Sequence, residues 1–193
     1  PLFYLNQFFY IVLWILTLIR LVRYPLKVFS DLSNHRIGSG FLTIVAATNV
    51  LGSQFVILQA NETIALYLWI LGLALWFLLI YTLFTALTVK EEKPTLEDGI
   101  NGGWLLFIVS TQSVPVLGML IVSRFEAWQE MFTFSMLGFY LLGCMFYILI
   151  ISLIMYRFLF FKIEAEEMNP SYWINTGAVA ITTLAGANIL LRG

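Results

Sequence analysis

Polar and apolar positions divide the chain into six long apolar stretches joined by short polar links. None of these stretches contains Asp, Glu, Lys, Arg or His. A helix that crosses a bilayer needs about 20 apolar residues, and its backbone groups must bond within their own segment because hydrocarbon offers no partners. The pattern therefore predicts six membrane-spanning helices, numbered one to six here, at about residues 2–19, 41–58, 63–89, 102–123, 131–156 and 172–191.

Composition agrees with a membrane protein. Hydrophobic residues make up 61% of the 193 positions and charged residues only 11%, whereas a soluble domain is nearer a quarter charged. A soluble fold of this length would leave much of its apolar surface in contact with water, which is unfavourable, whereas in a bilayer lipid covers that surface. We predict an all-α integral membrane protein with one transmembrane domain over residues 1–193. The net charge of −1 and the single cysteine, Cys144, suggest no nucleic-acid partner, metal site or cofactor.

Lys and Arg are unevenly distributed between the two sides of the predicted bundle. The links after helices one, three and five hold eight of them: Arg20, Arg23, Lys27, Arg36, Lys90, Lys93, Arg157 and Lys162. The other side of the bundle holds only Arg124 and Arg192. The positive-inside rule predicts that these three links are cytoplasmic and that the first residues lie outside the cell membrane. An outside N-terminus without an exported leader leads us to expect a fragment of a larger membrane protein.

Bulky and small-residue helices alternate. Helices two, four and six are rich in Gly, Ala, Ser, Thr and Asn, which allow close packing or line a wet path. Phe41 precedes Thr48 as Trp104 precedes Thr111, by seven residues in both cases. This weak repeat predicts three hairpins, each with an outer and an inner helix, around a central pathway. Tight packing alone is the simpler interpretation. Pro115 is predicted to kink helix four.

The candidate pathway is polar but uncharged. Hydroxyl groups can donate to an anion without trapping it, as conduction requires. Basic residues at the cytoplasmic rim raise the local anion concentration or simply set the topology. The six stretches hold no carboxylate, which favours a channel-like or facilitated mechanism over proton coupling. The pore-lining candidates are Thr43, Ala47, Thr48, Phe107, Ser110, Thr111, Ser113, Gly177, Thr182 and Thr183, and the rim is Arg20, Arg23, Lys27 and Arg36.

Three segments resemble the tellurite-resistance/C4-dicarboxylate transporter family, which is related to the slow anion channels of plants. They are residues 30–43, with Ser-Asp-Leu, His-Arg and Gly-Phe-Leu-Thr; residues 102–118, with Gly-Gly-Trp and Ser-Thr-Gln-Ser-Val-Pro; and residues 169–178, beginning Asn-Pro-Ser-Tyr-Trp. The resemblance implies a ten-helix fold of five hairpins around a pore for malate-type or inorganic anions, and a homotrimer. This chain would supply helices two to seven, while the gate residue would lie on a helix outside it.

Two other functions remain open from the residues alone. His35 and Asp31 lie four positions apart beside the start of helix two, and a membrane acyl- or phosphotransferase can use such a pair. A capping Asp and a rim His explain the same residues without chemistry. A structural membrane subunit without a pathway is the other alternative. We expect an anion transporter, not an enzyme.

Overall fold

A computed structural model describes residues 2–162 and 170–193. Within these ranges it contains α-helices and short 3-10 turns but no strand. The α-helices are α1 (Leu2–Arg23), α2 (Pro25–Leu32), α3 (Thr43–Gln59), α4 (Glu62–Val89), α5 (Leu96–Gly99), α6 (Leu106–Leu120), α7 (Gln129–Phe160) and α8 (Ile174–Arg192). Six of them, all but α2 and α5, are long and apolar enough to cross a membrane, together with the turns that precede some of them. The predicted all-α fold with six membrane-spanning helices is confirmed.

Two spanning helices continue past the ends of their apolar stretches. Helix α1 runs to Arg23 and α7 to Phe160, so Arg20 and Arg157 are helical. Hydropathy marks the apolar stretch, whereas a helix can continue through charged residues: the long side chain of Arg20 is exposed and can reach the polar headgroups, and Arg157 is buried and donates to the Tyr172 hydroxyl. The two short helices, α2 and α5, lie in links where the sequence pattern predicted no element. Pro25 opens α2 at the position where a missing N–H costs nothing.

A 3-10 turn precedes each of the three small-residue helices. The turns are Gly38–Leu42, Gly102–Leu105 and Pro170–Trp173. The middle turn contacts both of the others, so the N-termini of α3, α6 and α8 lie together at one end of the bundle. Phe41, Trp104 and Trp173 each sit in one of these turns, which gives the weak sequence repeat a structural counterpart.

Helix α6 forms the centre of the bundle. Helices α3, α4, α7 and α8 all pack against it, and every residue from 110 to 120 is buried. Glycines on its neighbours allow this close packing: a Cβ added at Gly52 of α3 would lie 2.4 Å from a methyl carbon of Leu117. Helix α1 is peripheral and has no buried residue. The expected inner position therefore applies most fully to α6.

Candidate functional site

The polar run at 110–113 in α6 is buried and engaged with neighbouring helices. Thr111 is fully buried. Its hydroxyl donates to the carbonyl of Phe107 at 2.6 Å and accepts from the indole nitrogen of Trp76 in α4 at 2.9 Å. The Phe107 ring, also buried, lies 5.6 Å from the ring of Trp104 in a stacked arrangement. Thr111 and Phe107 therefore face protein.

Ser110 and Ser113 lie inside the same bundle. The hydroxyl of Ser113 donates to the carbonyl of Ser110 at 2.7 Å and accepts from the side-chain amide of Asn49 in α3 at 2.9 Å. The hydroxyl of Ser110 donates to the carbonyl of Phe107 at 3.2 Å. Gln112 completes the run by donating to the carbonyl of Tyr140 in α7 at 3.1 Å. These bonds connect α6 to α3 and α7 without exposed hydroxyls.

Thr48 of α3 repeats the arrangement of Thr111. It is fully buried, and its hydroxyl donates to the carbonyl of Ile44 at 2.7 Å. The hydroxyl of Tyr10 in α1 lies 2.9 Å away and must donate, because the Thr48 hydrogen is already used. In the third hairpin, the hydroxyl of Tyr147 in α7 donates to the Asn175 side chain in α8 at 3.2 Å. In each hairpin, an aromatic side chain of the bulky helix thus donates a hydrogen bond from its hydroxyl or indole N–H to a polar side chain of the small-residue helix that follows.

An exposed stripe of mostly small side chains follows one face of α3. Thr43, Ala47 and Val50 are all exposed and are spaced four and three residues apart, which aligns them on one side of a helix. The hydroxyl of Thr43 donates to the carbonyl of Gly40 at 2.7 Å. Asn49, which contacts α6, points about 100° away from Val50. The stripe therefore borders α6 without packing against it.

Helix α8 has a similar stripe. Gly177, Ala180 and Leu184 are exposed at spacings of three and four. A Cβ added at Gly177 would meet no atom within 4 Å. Thr182 is half-buried and Thr183 exposed, and both hydroxyls bond to carbonyls of α8 itself. Thr183 points about 120° away from Gly177, so the two predicted candidates occupy different faces.

Helix α6, which both α3 and α8 contact, keeps partial exposure at two residues. Val109 and Leu106 are half-buried, whereas most of the helix is fully enclosed. Val109 points about 160° away from Thr111, which faces α4. We group these exposed and half-buried residues of the three helices under the name inner face: Thr43, Ala47 and Val50 of α3, Leu106 and Val109 of α6, and Gly177, Ala180 and Leu184 of α8.

Pro115 lies within α6, and the helix continues through it to Leu120. Proline has no N–H to donate to the carbonyl of Thr111. One residue earlier, the carbonyl of Val114 accepts the indole N–H of Trp69 in α4 at 3.1 Å. The kink itself remains a prediction.

The predicted basic rim is partly neutralised by ion pairs. Arg20 pairs with Asp31, and Arg36 pairs with Asp98 at 3.1 Å. Lys27 lies over the ring of Tyr24, 5.3 Å from its centre. Arg23 is exposed at the end of α1. Asn101, in the link after α4, donates to the carbonyl of Arg36, in the link before α3, at 3.0 Å. These two links therefore meet at the end of the bundle where the three small-residue helices begin.

His35 and Asp31 do not form the pair that an enzyme would need. Asp31 is engaged by Arg20, and no hydrogen bond joins Asp31 to His35 within the described residues. His35 lies beside Trp104, whose indole nitrogen donates to the His35 carbonyl at 3.0 Å. Burial, and then the charges of Lys90 and Lys93, lower the pKa of His35 below its ordinary value of 6.5. In residues 2–162 and 170–193, no group of His, Cys, Asp and Glu side chains could hold a metal ion.

The predicted lining residues are mostly hydroxyl-bearing or small, and they include neither the aromatic donors nor the other apolar residues of the inner face. Trp69 and Trp76 lie seven residues apart on one face of α4, and both indole groups reach α6. That spacing was a visible signal of a face turned inward. Val109 and Leu184 carried no comparable signal, because an apolar residue looks the same in sequence whether it faces lipid or a pathway.

Comparison with known proteins gives the family. Residues 1–191 match the voltage-dependent anion channel family. Two uncharacterized transporters of Methanocaldococcus jannaschii are 25% and 23% identical over 190 residues, which is 98% of this chain and 55% and 54% of theirs. An uncharacterized membrane protein of Mycobacterium tuberculosis is 41% identical over 44 residues, 23% of this chain and 22% of that protein.

The chain thus spans about half the length of the transporters that it resembles over nearly its whole extent. No solved structure matches it at a significant level. The family match covers all six spanning helices and the end of the bundle where α3, α6 and α8 begin. The chain belongs to the voltage-dependent anion channel family, whose members are membrane transporters or channels and not enzymes.

Proposed function

We propose that this chain forms part of a pathway that carries small anions across a membrane along the inner face. The observation that carries the proposal is the exposure of small side chains on two helices that flank the enclosed helix α6. Thr43 and Ala47 of α3 and Gly177 of α8 are exposed although both helices pack against α6. Among the ten predicted lining residues, we assign these three to the pathway.

The buried candidates receive a different role in this proposal. Thr48, Thr111 and Ser113 hold neighbouring helices together through hydrogen bonds. A hydroxyl that is already bonded and enclosed is not free to donate to a passing anion. Ser110 and Phe107 are similarly enclosed. The pathway is then less polar than the sequence suggested, and its hydrogen-bond donors are few.

Electrostatics at one end of the bundle favour anions. The N-termini of α3, α6 and α8 lie together there, and each helix N-terminus carries a partial positive charge. No charged side chain belongs to the inner face as defined above. Weak attraction at the opening and no fixed charge along the path suit anion conduction, because binding must be weak enough for release. We propose malate-type C4-dicarboxylates or inorganic anions as substrates.

Flux through proteoliposomes tests the pathway. We expect the Gly177→Leu and Ala47→Leu variants to lower malate or chloride efflux several-fold, because a Leu side chain fills space on the inner face. Gly138→Leu is the matched control, since a Cβ at Gly138 also meets nothing within 4 Å but lies on α7. If Gly177→Leu and Gly138→Leu leave flux equally high, the inner face is not the pathway.

Orientation is a separate part of the proposal. The excess of Lys and Arg in the links after α1, α4 and α7 leads us to place those links in the cytoplasm, with the protein in the cell membrane. A cysteine at Lys93 should then react with a membrane-impermeant maleimide only from the inside, and one at Glu126 only from the outside, in a Cys144→Ala background. Reversed labelling would invert the assignment.

The family resemblance also underlies our proposal for the complete assembly. We propose that the three hairpins α1–α3, α4–α6 and α7–α8 are three of five in a ten-helix pore, and that the protein is a homotrimer. The match to transporters nearly twice as long is consistent with the larger pore. Native mass spectrometry of the full-length protein checks the trimer, and a monomer alone would contradict it.

A further inference from the structure

Two cavities meet at Lys90, directly after the end of α4. The first is an apolar groove of about 520 Å³ between α2 and the last turns of α4. Phe29 of α2 is 64% exposed beside it, and Tyr81 of α4 is 75% exposed. The lining is completed by Leu32, Ser33, Thr82, Thr85, Ala86, Val89 and Lys90.

The second cavity is a polar pocket of about 500 Å³ on the other side of Lys90. Its lining combines the link before α3 with the link after α4. Trp104 connects the two links by donating to the carbonyl of His35 in the first and to that of Gly99 in the second, both at 3.0 Å. The pocket is lined by Asn34, His35, Arg36, Lys90, Glu92, Lys93, Pro94 and Asp98.

The charges in this pocket leave two lysines without a carboxylate partner. Arg36 and Asp98 neutralise each other at 3.1 Å. Lys90 donates only to the carbonyl of Ser33, at 3.3 Å, and within the described part of the chain neither Lys90 nor Lys93 forms an ion pair. Glu92 is the remaining acidic group in the lining. The three cationic and two acidic side chains of the lining therefore leave one net positive charge next to an apolar groove.

We propose that this pair of cavities binds one anionic phospholipid, with its phosphate at Lys90 and Lys93 and an acyl chain in the groove of α2 and α4. The groove runs from Lys90 to Tyr81, about 13 Å along α4, which is a length suited to part of an acyl chain. Its apolar lining at the end of a spanning helix lies at the depth where headgroup and chain meet. This site stands independently of the anion pathway.

A free anion is the competing occupant of the polar pocket. It would use the lysines but would gain nothing from the apolar groove. The lipid uses both, and Lys90 lines both cavities. Helix α2 also supports the lipid, because Leu26 and Phe29 are exposed on a short helix that follows a spanning one. Such helices lie in the interface of a membrane.

Native mass spectrometry of the purified protein, titrated with phosphatidylglycerol or with phosphatidylcholine of the same chains, tests the site. We expect phosphatidylglycerol to bind more tightly. Replacing Lys90 and Lys93 by Gln should weaken it about fivefold for each lysine, roughly 25-fold together. Lys27→Gln should leave it unchanged, because Lys27 lies over Tyr24 and outside both cavities.

A second pair of variants tests the groove without depending on the lysines. Thr85 is exposed and lines the groove, so Thr85→Trp places an indole in it. Thr88 is also exposed on α4 but does not line the groove, so Thr88→Trp is the control. Only Thr85→Trp should weaken phosphatidylglycerol binding. Equal binding of both lipids, or equal effects of the two Trp variants, would overturn the proposal. Displacement of the lipid by inorganic phosphate with no effect of Thr85→Trp would identify a free-anion site instead.

Discussion

The indole N–H of Trp76 donates a 2.9 Å hydrogen bond to the hydroxyl of Thr111, joining α4 to the helix that follows it in the chain. Tyr10 and Thr48 make the corresponding contact between α1 and α3 at 2.9 Å. Both threonines are fully buried, and both lie seven residues after the aromatic residue of a 3-10 turn. The threonine of the sequence repeat is therefore the acceptor of a hydrogen bond between the two long helices in each of two hairpins.

Thr111→Val tests whether this threonine is structural. The substitution keeps the shape but leaves the buried Trp76 N–H without an acceptor, so we expect a loss of about 1 kcal/mol in the free energy of unfolding. Unfolding in mixed micelles measures it. Thr17→Val is the control, since the Thr17 hydroxyl bonds only to the Leu13 carbonyl of its own helix among the described residues. Flux per folded molecule should not change, and a large change in flux at normal stability would return Thr111 to the pathway.

Gly143→Ala and Gly138→Ala compare a packed and an open glycine on the same helix, α7. A Cβ at Gly143 would lie 2.6 Å from both Cδ and Nε2 of Gln112, whose amide is already bonded to the Tyr140 carbonyl. We expect Gly143→Ala to destabilise the protein by about 1–3 kcal/mol. Gly138→Ala should be neutral or stabilising, because alanine favours helix. Similar unfolding midpoints for the two variants would show that α6 and α7 pack less closely than this.

Gly102→Ala probes the contact between two of the 3-10 turns. Its Cβ would lie 2.4 Å from backbone atoms of Ser171 and Tyr172, which cannot move aside as a flexible side chain can. We expect the variant to lose about 1–3 kcal/mol of stability or to fold poorly. Gly40→Ala, in the first turn, meets nothing within 4 Å and serves as the control. Thermal unfolding in micelles distinguishes them, and equal midpoints would mean that the turns are not in close contact.

The sequence predicted the spanning helices well because hydropathy is a property of single segments. The charge asymmetry is likewise read from single links, and the orientation derived from it stays a prediction. The short helix α2 was missed, since its eight residues combine Lys27 with apolar side chains in a link that reads as polar. Helix α6 lies in the interior as predicted. Its hydroxyls at Thr111 and Ser113 bond to neighbouring helices, and their predicted place in a pathway remains untested.

Deciding between a lining and a packing hydroxyl needs the neighbouring helix. Ser113 and Thr43 look alike in sequence, yet Ser113 is bonded to Asn49 and buried while Thr43 is exposed. The partner amide lies 64 positions away in the chain. Helical periodicity alone does not identify such partners, because it fixes which residues share a face but not what covers that face.

His35 gives a pH dependence that isolates one site, because it is the only histidine in the sequence. Burial, followed by repulsion from Lys90 and Lys93, lowers its pKa in the folded protein below the ordinary 6.5. The unfolded chain therefore binds more protons than the folded one between those two values. Neutral His35 is favoured by the fold, so its contribution to stability is complete above about pH 6.5 and decreases as the pH falls towards the lowered pKa.

The measurement is the unfolding midpoint in micelles from about pH 8 to about pH 5, the range in which histidine titrates. We expect the midpoint to fall in the acid half of this range and His35→Gln to reduce that fall, because glutamine has no proton to gain. Lys93→Gln should also reduce it, by removing one of the two charges that oppose protonation. Since Lys27 is not among the groups that lower this pKa, Lys27→Gln should leave the pH profile unchanged. An identical acid response in His35→Gln and the parent protein would show that other groups, such as Glu92 and Asp98 in the same pocket, cause it.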